Sequence, residues 1–366
     1  YRLHLTSLFL MQESKQVTSP SMGNYVNTHY TLVHLSDLHL SPAYFPERTS
    51  YLRQSLEFCL AQRADHIVIT GDITNQARKE ELQACRSVLA EFGLLDSAKL
   101  TMIIGNHDVY GGPHHADDVL QFPRACRTAD YDAKVNEFVS AFQETFDGVK
   151  TLSQGLFGSE SSVFPFVKEQ GNVVLLGVNS VARWSSLGNP LGSNGEINDA
   201  QFNAMRSYLE SDAARGKTVI LLVHHHFNKL KKTSTPTHLE RLCSVIESET
   251  MKLRSKGRLF ALCTRNDIAR VLHGHVHETE VYKRAGVQFV NAGASFVPVG
   301  STPRKIPVLT IAGGILSTAM HVLAAPALSL YQGSSRLRHT KVFYPKLETA
   351  PSAPQIGSRA AFLKAT

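Results

Sequence analysis

Seven side chains able to ligate a metal stand where apolar runs of this chain end. Asp37 and His39 follow TLVHLS, and Asp72 follows HIVIT and Gly71. Asn106, with His107 and Asp108 behind it, follows LTMII and Gly105. His224 opens a triple histidine directly after KTVILLV, and His275 and His277 come after IARVL in the run His273-Gly274-His275-Val276-His277. On an extended chain the i, i+2 spacing of Asp37 and His39 sends both side chains to one side, so the pair can chelate one ion. Glycine before an acid or an amide lets the backbone turn sharply and approach a bound group.

The set offers carboxylate and amide oxygen and imidazole nitrogen, without a thiolate. It suits Mn, Fe, Zn or Co and is too rich in imidazole for a Mg or Ca cage. Seven ligands exceed the needs of one ion. Two ions about 3.5–4 Å apart, bridged by one carboxylate, would use them all. Asp72 fits the bridge, because it lies between the other groups in chain order and stands alone after a glycine. Two such ions acidify a bridging water, hold a phosphate oxygen and stabilise an in-line displacement at phosphorus, which is phosphoester hydrolysis by attack of a bridging hydroxide.

The elements that must position these groups read as alternating strands and helices. A strand from Tyr30 leads to a helix over about Ser50–Arg63, then the HIVIT strand, a helix Lys79–Phe92 and the strand before Asn106. A β-α-β-α-β order implies right-handed crossovers and a largely parallel sheet, so the strand ends lie side by side. Residues 111–165 read as a cap-like insertion with a helix near Ala133–Thr145. The strand NVVLLGVNS follows, then GEINDAQFNAMRSYLES as a turn into an amphipathic helix, with Phe202, Met205 and Leu209 on one face. A basic, largely helical insertion is expected over 228–258, and VQFV is a further strand. Ile306–Tyr331 is long enough and uncharged enough for a membrane span. Pro307 and Pro326 bracket it, however, and Gly313-Gly314 divides it into PVLTIA and ILSTAMHVL, which reads as a hairpin.

Composition sets the class. With 366 residues, 43% hydrophobic and 19% charged, the chain is globular rather than disordered. Its net charge of +7 suits an anionic substrate or a membrane surface. Nucleic acid is disfavoured, since no basic stripe is interleaved with aromatics. The five cysteines are scattered, with no CxxC pair, and fit core positions in a reducing compartment, hence a cytoplasmic location. The apolar patch LTSLFLM within residues 1–29 is too short for a signal peptide, so this stretch is expected to be a flexible tail. The basic stretch 332–366 is expected to be another.

DLH, GD, GNHD, a strand-terminal HH and GHVH, in this order over residues 31 to about 296, resemble the calcineurin-like metallophosphoesterase family. The resemblance implies an α/β fold, a four-layer α/β/β/α sandwich of two mixed sheets, with a dinuclear metal centre between them, in a domain spanning 30–331. By that resemblance Asp37, His39, Asp72 and His277 hold one metal, and Asp72, Asn106, His224 and His275 the other. His107 sits by the leaving-group oxygen as general acid or charge stabiliser, oriented by Asp108. The family pattern is His-His-Pro, whereas three histidines precede Phe227 here; His224, which ends the apolar strand, is favoured, with His225 as the alternative.

GEINDAQFNAMRSYLES is similar to a stretch of the cyclic-nucleotide and glycerophosphodiester phosphodiesterase branch, and GDITNQARKEEL resembles bacterial members of unassigned substrate. These point to a small phosphorylated substrate, a phosphodiester before a monoester. The alternative is a pyrophosphatase of the UDP-2,3-diacylglucosamine type from lipid A synthesis, whose peripheral contact with the inner membrane would suit the apolar 306–331 segment and the basic tail. A non-catalytic scaffold would be expected to have lost ligands, and here every position is filled.

Overall fold

The computed structural model describes residues 29–113, 116–152, 163–227, 251, 253–294 and 304–323. The expected tails, most of the 228–258 insertion and Cys243 lie outside these residues. Twelve strands among them form two mixed sheets.

In the first sheet β1 (Tyr30–Leu35), β2 (His66–Ile69) and β3 (Leu100–Met102) run parallel. The helices α1 (Glu47–Ala61) and α2 (Lys79–Glu91) make the crossovers, each within three residues of its expected start and two of its expected end. On the other side of β1 lies β11 (Arg304–Ala312), antiparallel to it, and then β12 (Ile315–Leu323). β11 and β12 are the hairpin expected from Gly313-Gly314. Both glycines hold positive φ, 56° and 78°, the backbone that a two-residue hairpin turn requires of its central residues. No helix among the described residues is long and apolar enough to cross a membrane.

The second sheet has the order β4-β5-β6-β7-β8-β10-β9, with β4 at Lys150–Thr151, β5 at Phe166–Gln170, β6 at Val173–Gly177 and β7 at Thr218–Leu222. Beyond them come β8 (Arg270–His273), β9 (Glu280–Arg284) and β10 (Val287–Asn291). β6, β7, β8 and β10 are parallel to one another, and the outer strands are antiparallel. Ahead of the 111–165 region a four-residue helix α3 (Asn106–Val109) leads into α4 (Ala116–Thr128) and α5 (Tyr131–Ala141), both within it.

Side-chain alternation separates the layers. Val173, Leu175, Ile220, Leu222, Leu272 and Val290 of the second sheet face the core shared with the first, along with α1, α2 and α5. Val174, Leu176, Val219, Leu221, Val271 and Phe289 face the opposite way, onto α6 (Asp199–Leu209) and α7 (Lys256–Arg265). The parallel strands are buried on both faces and so must be apolar along most of their length, which is why they read as unbroken hydrophobic runs. The result is a four-layer α/β/β/α sandwich. Its parallel strands end at a common edge, where each run gives way to polar residues.

Candidate metal centre

Backbone hydrogen bonds continue past the strand ends and set the first ligands. Asp37 N donates to Gly71 O at 3.0 Å, and His39 N to Asp72 O at 2.9 Å, so the two segments stay zipped while their side chains converge. Asp37, His39, Asp72 and His275 all hold positive φ, between 44° and 73°. Non-glycine residues rarely adopt this conformation, and its cost is tolerated where the surroundings over-determine it, most often at functional sites.

Glycines let the loops close on one another. A Cβ on Gly105 would collide with Asp72, one on Gly71 would lie 2.8 Å from His224 Nδ1, and one on Gly274 would collide with Ser36 Oγ and the Asp37 carboxylate. Asp37 in turn accepts the backbone N–H of His275 on both oxygens, at 2.9 and 3.1 Å.

All seven strand-end residues meet. His39 Nε2 lies 3.0 Å from His277 Nε2, 4.0 Å from Asp37 Oδ1 and 3.7 Å from Asp72 Oδ2. His224 Nε2 lies 3.3 Å from Asp72 Oδ2, 3.1 Å from Asn106 Oδ1 and 3.3 Å from His275 Nδ1. Asp72 therefore stands between two groups of donors, and the sets Asp37–His39–His277 and Asp72–His224–His275 each bring their ligand atoms within 4.8 Å of one another. Metal–ligand bonds of about 2.0–2.2 Å place donors about 3.0–3.5 Å apart when adjacent and up to about 4.4 Å apart when opposite, so separations of 3.0 to 4.0 Å fit ions in both positions. Mutually facing imidazole nitrogens and carboxylates, buried and without thiolates, also fit in chemistry.

The triple histidine resolves by strand direction. His224 Nδ1 donates to the carbonyl of Thr70 at 2.8 Å, which fixes the tautomer and leaves Nε2 to face Asp72 and Asn106. The ring of His225 turns to Ser180 Oγ, 2.8 Å from its Nδ1, and that of His226 packs edge-on against His273. His273 meets the Tyr282 hydroxyl at 2.8 Å. His225, His226 and His273 thus pack around the cage, while His224 points into it.

Burial and neighbouring charge shape the protonation of the cage. Burial, together with the Asp72 charge, pushes Asp37 up to about 7, against the opposing effect of His224. Asp72 is held well below its usual range: His224, His107 and His39 overcome the cost of its burial. Burial works against a proton on His224 too, but Asp72 and Asp37 outweigh it and raise the group to about 9. His39 and His275 are kept neutral mainly by burial, and a neutral imidazole is the form that ligates a metal.

His107 lies at the cage's solvent side, its ring edge-on to His39 with centroids 4.5 Å apart, and its backbone N–H donates to Asp72 Oδ1 at 2.8 Å. Its orientation corrects one expectation. The ring is held by the Asn75 carbonyl, 3.1 Å from Nδ1, and Asp108 is engaged elsewhere. The Asp108 carboxylate accepts from Gly105 N at 2.9 Å and from Thr74 N and Oγ1 at 2.8 and 3.1 Å. At the third position of a four-residue helix its side chain folds back over the helix start, where unpaired N–H groups attract an acid, and so turns away from the neighbouring ring.

Three further residues had no motif to mark them. Asn75 and Thr70 act through backbone carbonyls, which carry no residue-type signature. The buried Arg48 donates from Nη1 to the carbonyl of His39 at 2.5 Å and to Asn75 Oδ1 at 3.4 Å. In the GEINDAQ stretch, Gln201 accepts from Asn179 N at 3.0 Å and donates to Asn179 O at 2.8 Å, pinning the backbone beyond β6.

Residues 30–279 match the family model described as Calcineurin-like phosphoesterase. Among solved structures, the chain is similar to a dimetal phosphatase from Danio rerio, at 12% identity over 81% of this chain and 99% of that one, with a TM-score of 0.49. It is also similar to a purple acid phosphatase from yellow lupin (Lupinus luteus) seeds, at 14% identity over 81% of this chain and 52% of that one, with a TM-score of 0.46. No curated protein sequence matches the chain.

Proposed function

The chain belongs to the calcineurin-like phosphoesterase family, and from that premise we propose that it is a dinuclear metal-dependent phosphodiesterase acting on a small substrate. The observation that carries the reading is the position of Asp72, whose Oδ2 lies 3.7 Å from His39 Nε2 and 3.3 Å from His224 Nε2. One carboxylate shared by two donor groups is what a pair of ions requires. Asp37, His39, Asp72 and His277 would hold one metal, and Asp72, Asn106, His224 and His275 the other. When bound, two such ions supply a nucleophile from water at neutral pH and neutralise charge on the phosphoryl oxygens; Mn, Fe and Zn all suit the donors.

The protein's own groups do the rest. Burial of the cage, with Asp37, His39, Asp72, Asn106, His224 and His275 all under 5% exposed, excludes bulk water and strengthens every charge interaction inside. His107 and His277 are the more open members, so substrate enters on their side. There His107 Nε2 faces the leaving group, its Nδ1–H fixed by the Asn75 carbonyl, and donates the proton the departing oxygen needs. The diester preference is supported by the likeness of GEINDAQFNAMRSYLES to the phosphodiesterase branch of the family; in that stretch Gln201 bonds both the N–H and the C=O of Asn179 beyond β6.

The test is hydrolysis of bis(p-nitrophenyl) phosphate against p-nitrophenyl phosphate, after EDTA and then after Mn is restored. Faster diester turnover that EDTA abolishes and Mn recovers is the expected result. Preference for the monoester would overturn the diester reading, and activity indifferent to EDTA would overturn the metal reading. His107→Ala is expected to slow poor leaving groups by about 100-fold or more with metal content unchanged.

A further inference from the structure

We propose that Glu81 is a positioning residue for His107, acting through a single peptide group. The inference rests on the reading of His107 as the proton donor. Glu81 sits in the first turn of α2, is 2% exposed, and turns its carboxylate back over the helix start. Its Oε2 accepts from the backbone N–H of Asn75 at 3.1 Å, Gln76 at 2.8 Å and Arg78 at 3.4 Å. Capping the helix calls only for the bond to Arg78, the residue before the first turn. The other two bonds belong to the loop that holds His107.

The shortest of the three decides the geometry. Gln76 N–H and Asn75 C=O belong to one peptide group, which is planar and trans, so the two point in opposite directions. Anchoring that N–H on Glu81 therefore aims the carbonyl away from Glu81, and the group it meets is His107 Nδ1 at 3.1 Å. The carboxylate, the peptide and the imidazole form one hydrogen-bonded row. A carboxylate at one end polarises the peptide and makes its carbonyl a stronger acceptor at the other. Arg48 on Asn75 Oδ1 and the bond from Asn75 N to Leu40 O keep the loop from turning about that row. A carbonyl cannot be aimed by its own side chain, so a remote carboxylate is the available means.

The experiment is a double-mutant cycle on the full chain, read with a phenyl alkyl phosphodiester and with bis(p-nitrophenyl) phosphate. Glu81→Ala is expected to lower kcat about 10-fold on the poorer leaving group and little on p-nitrophenolate, with KM and bound metal unchanged. Glu81→Gln, whose amide oxygen can accept the same N–H groups, is expected to recover kcat to within about threefold. In a His107→Ala background, Glu81→Ala should cost less than about twofold. The same loss with and without His107, or a fall in metal content alongside kcat, would overturn the proposal and leave the acid role of His107 standing. A His107→Ala enzyme with undiminished kcat on the poorer leaving group would overturn both. Should Glu81→Ala fail to fold, Glu81→Gln carries the cycle, its smaller loss expected to vanish in the His107→Ala background.

Discussion

The Nε2 atoms of His39 and His277 face each other at 3.0 Å across 238 residues of sequence. His39 comes from the end of the first sheet's central strand and His277 from the loop beyond β8, so one ion between them would tie the two sheets together. His277→Ala is expected to reduce bound metal from two equivalents to one, read by elemental analysis, and to cut turnover by about 100-fold or more. Added Mn should raise the melting temperature of the parent chain in proportion to the logarithm of its concentration, and of the variant by a smaller slope. Unchanged metal content would remove His277 from the ligand set.

His224 and His225 are adjacent and equally buried but face different partners. His224→Ala should lose metal and activity together, because its Nε2 faces Asp72 and Asn106. His225→Ala should keep two metals and most of its activity while melting lower, since its ring packs against Ser180 and His275. The reverse pattern would move the ligand one residue along.

Gly274→Ala tests the close approach of the loops. The added methyl would collide with Ser36 Oγ and the Asp37 carboxylate, so the loop must shift or Asp37 must move. Weaker metal binding, by about 10–100-fold in titration, is the expected outcome, with far-ultraviolet circular dichroism unchanged. Metal affinity equal to the parent's would mean that the loop yields freely.

Lys168 gives stability a pH dependence away from the cage. On β5 it is 5% exposed and donates to the carbonyls of Leu100 and Thr145, both at 2.7 Å, joining the second sheet to β3 of the first. Burial lowers it from 10.5 to about 7. Between those values the unfolded chain holds a proton that the folded chain lacks, so stability rises with pH across this window and the contribution is flat below about 7. Urea unfolding at pH 7, 8 and 9 should show that rise as the difference between the parent and Lys168→Met, whose overall stability is lower, because His224, raised to about 9, contributes the opposite slope equally to both.

The parallel strands and the polar residues at their ends were legible because both leave a pattern in residue type. An unbroken apolar run means a strand covered on both faces, and the residue where it stops must lie at the sheet edge. β9 reads Glu-Val-Tyr-Lys-Arg, an edge strand half in solvent, and carries too few apolar residues to register. The short β4 and the β5 strand ending in Lys-Glu-Gln were hidden in the same way. Within the site, the family resemblance gave Asp108 as the group that orients His107, but the two are neighbours in sequence. In a tight helical turn, neighbours point apart, and the partner came from a carbonyl 32 residues earlier. The triple histidine was decidable in principle, since only the residue continuing the strand's alternation could enter the cage.

The left-handed backbone of Asp37, His39, Asp72 and His275 makes this edge a store of strain. Each such residue costs about 1–3 kcal/mol and persists only where its surroundings over-determine it. The packed sheets beneath therefore act as a clamp on a loaded spring: they hold four side chains in a backbone that an unconstrained chain would leave.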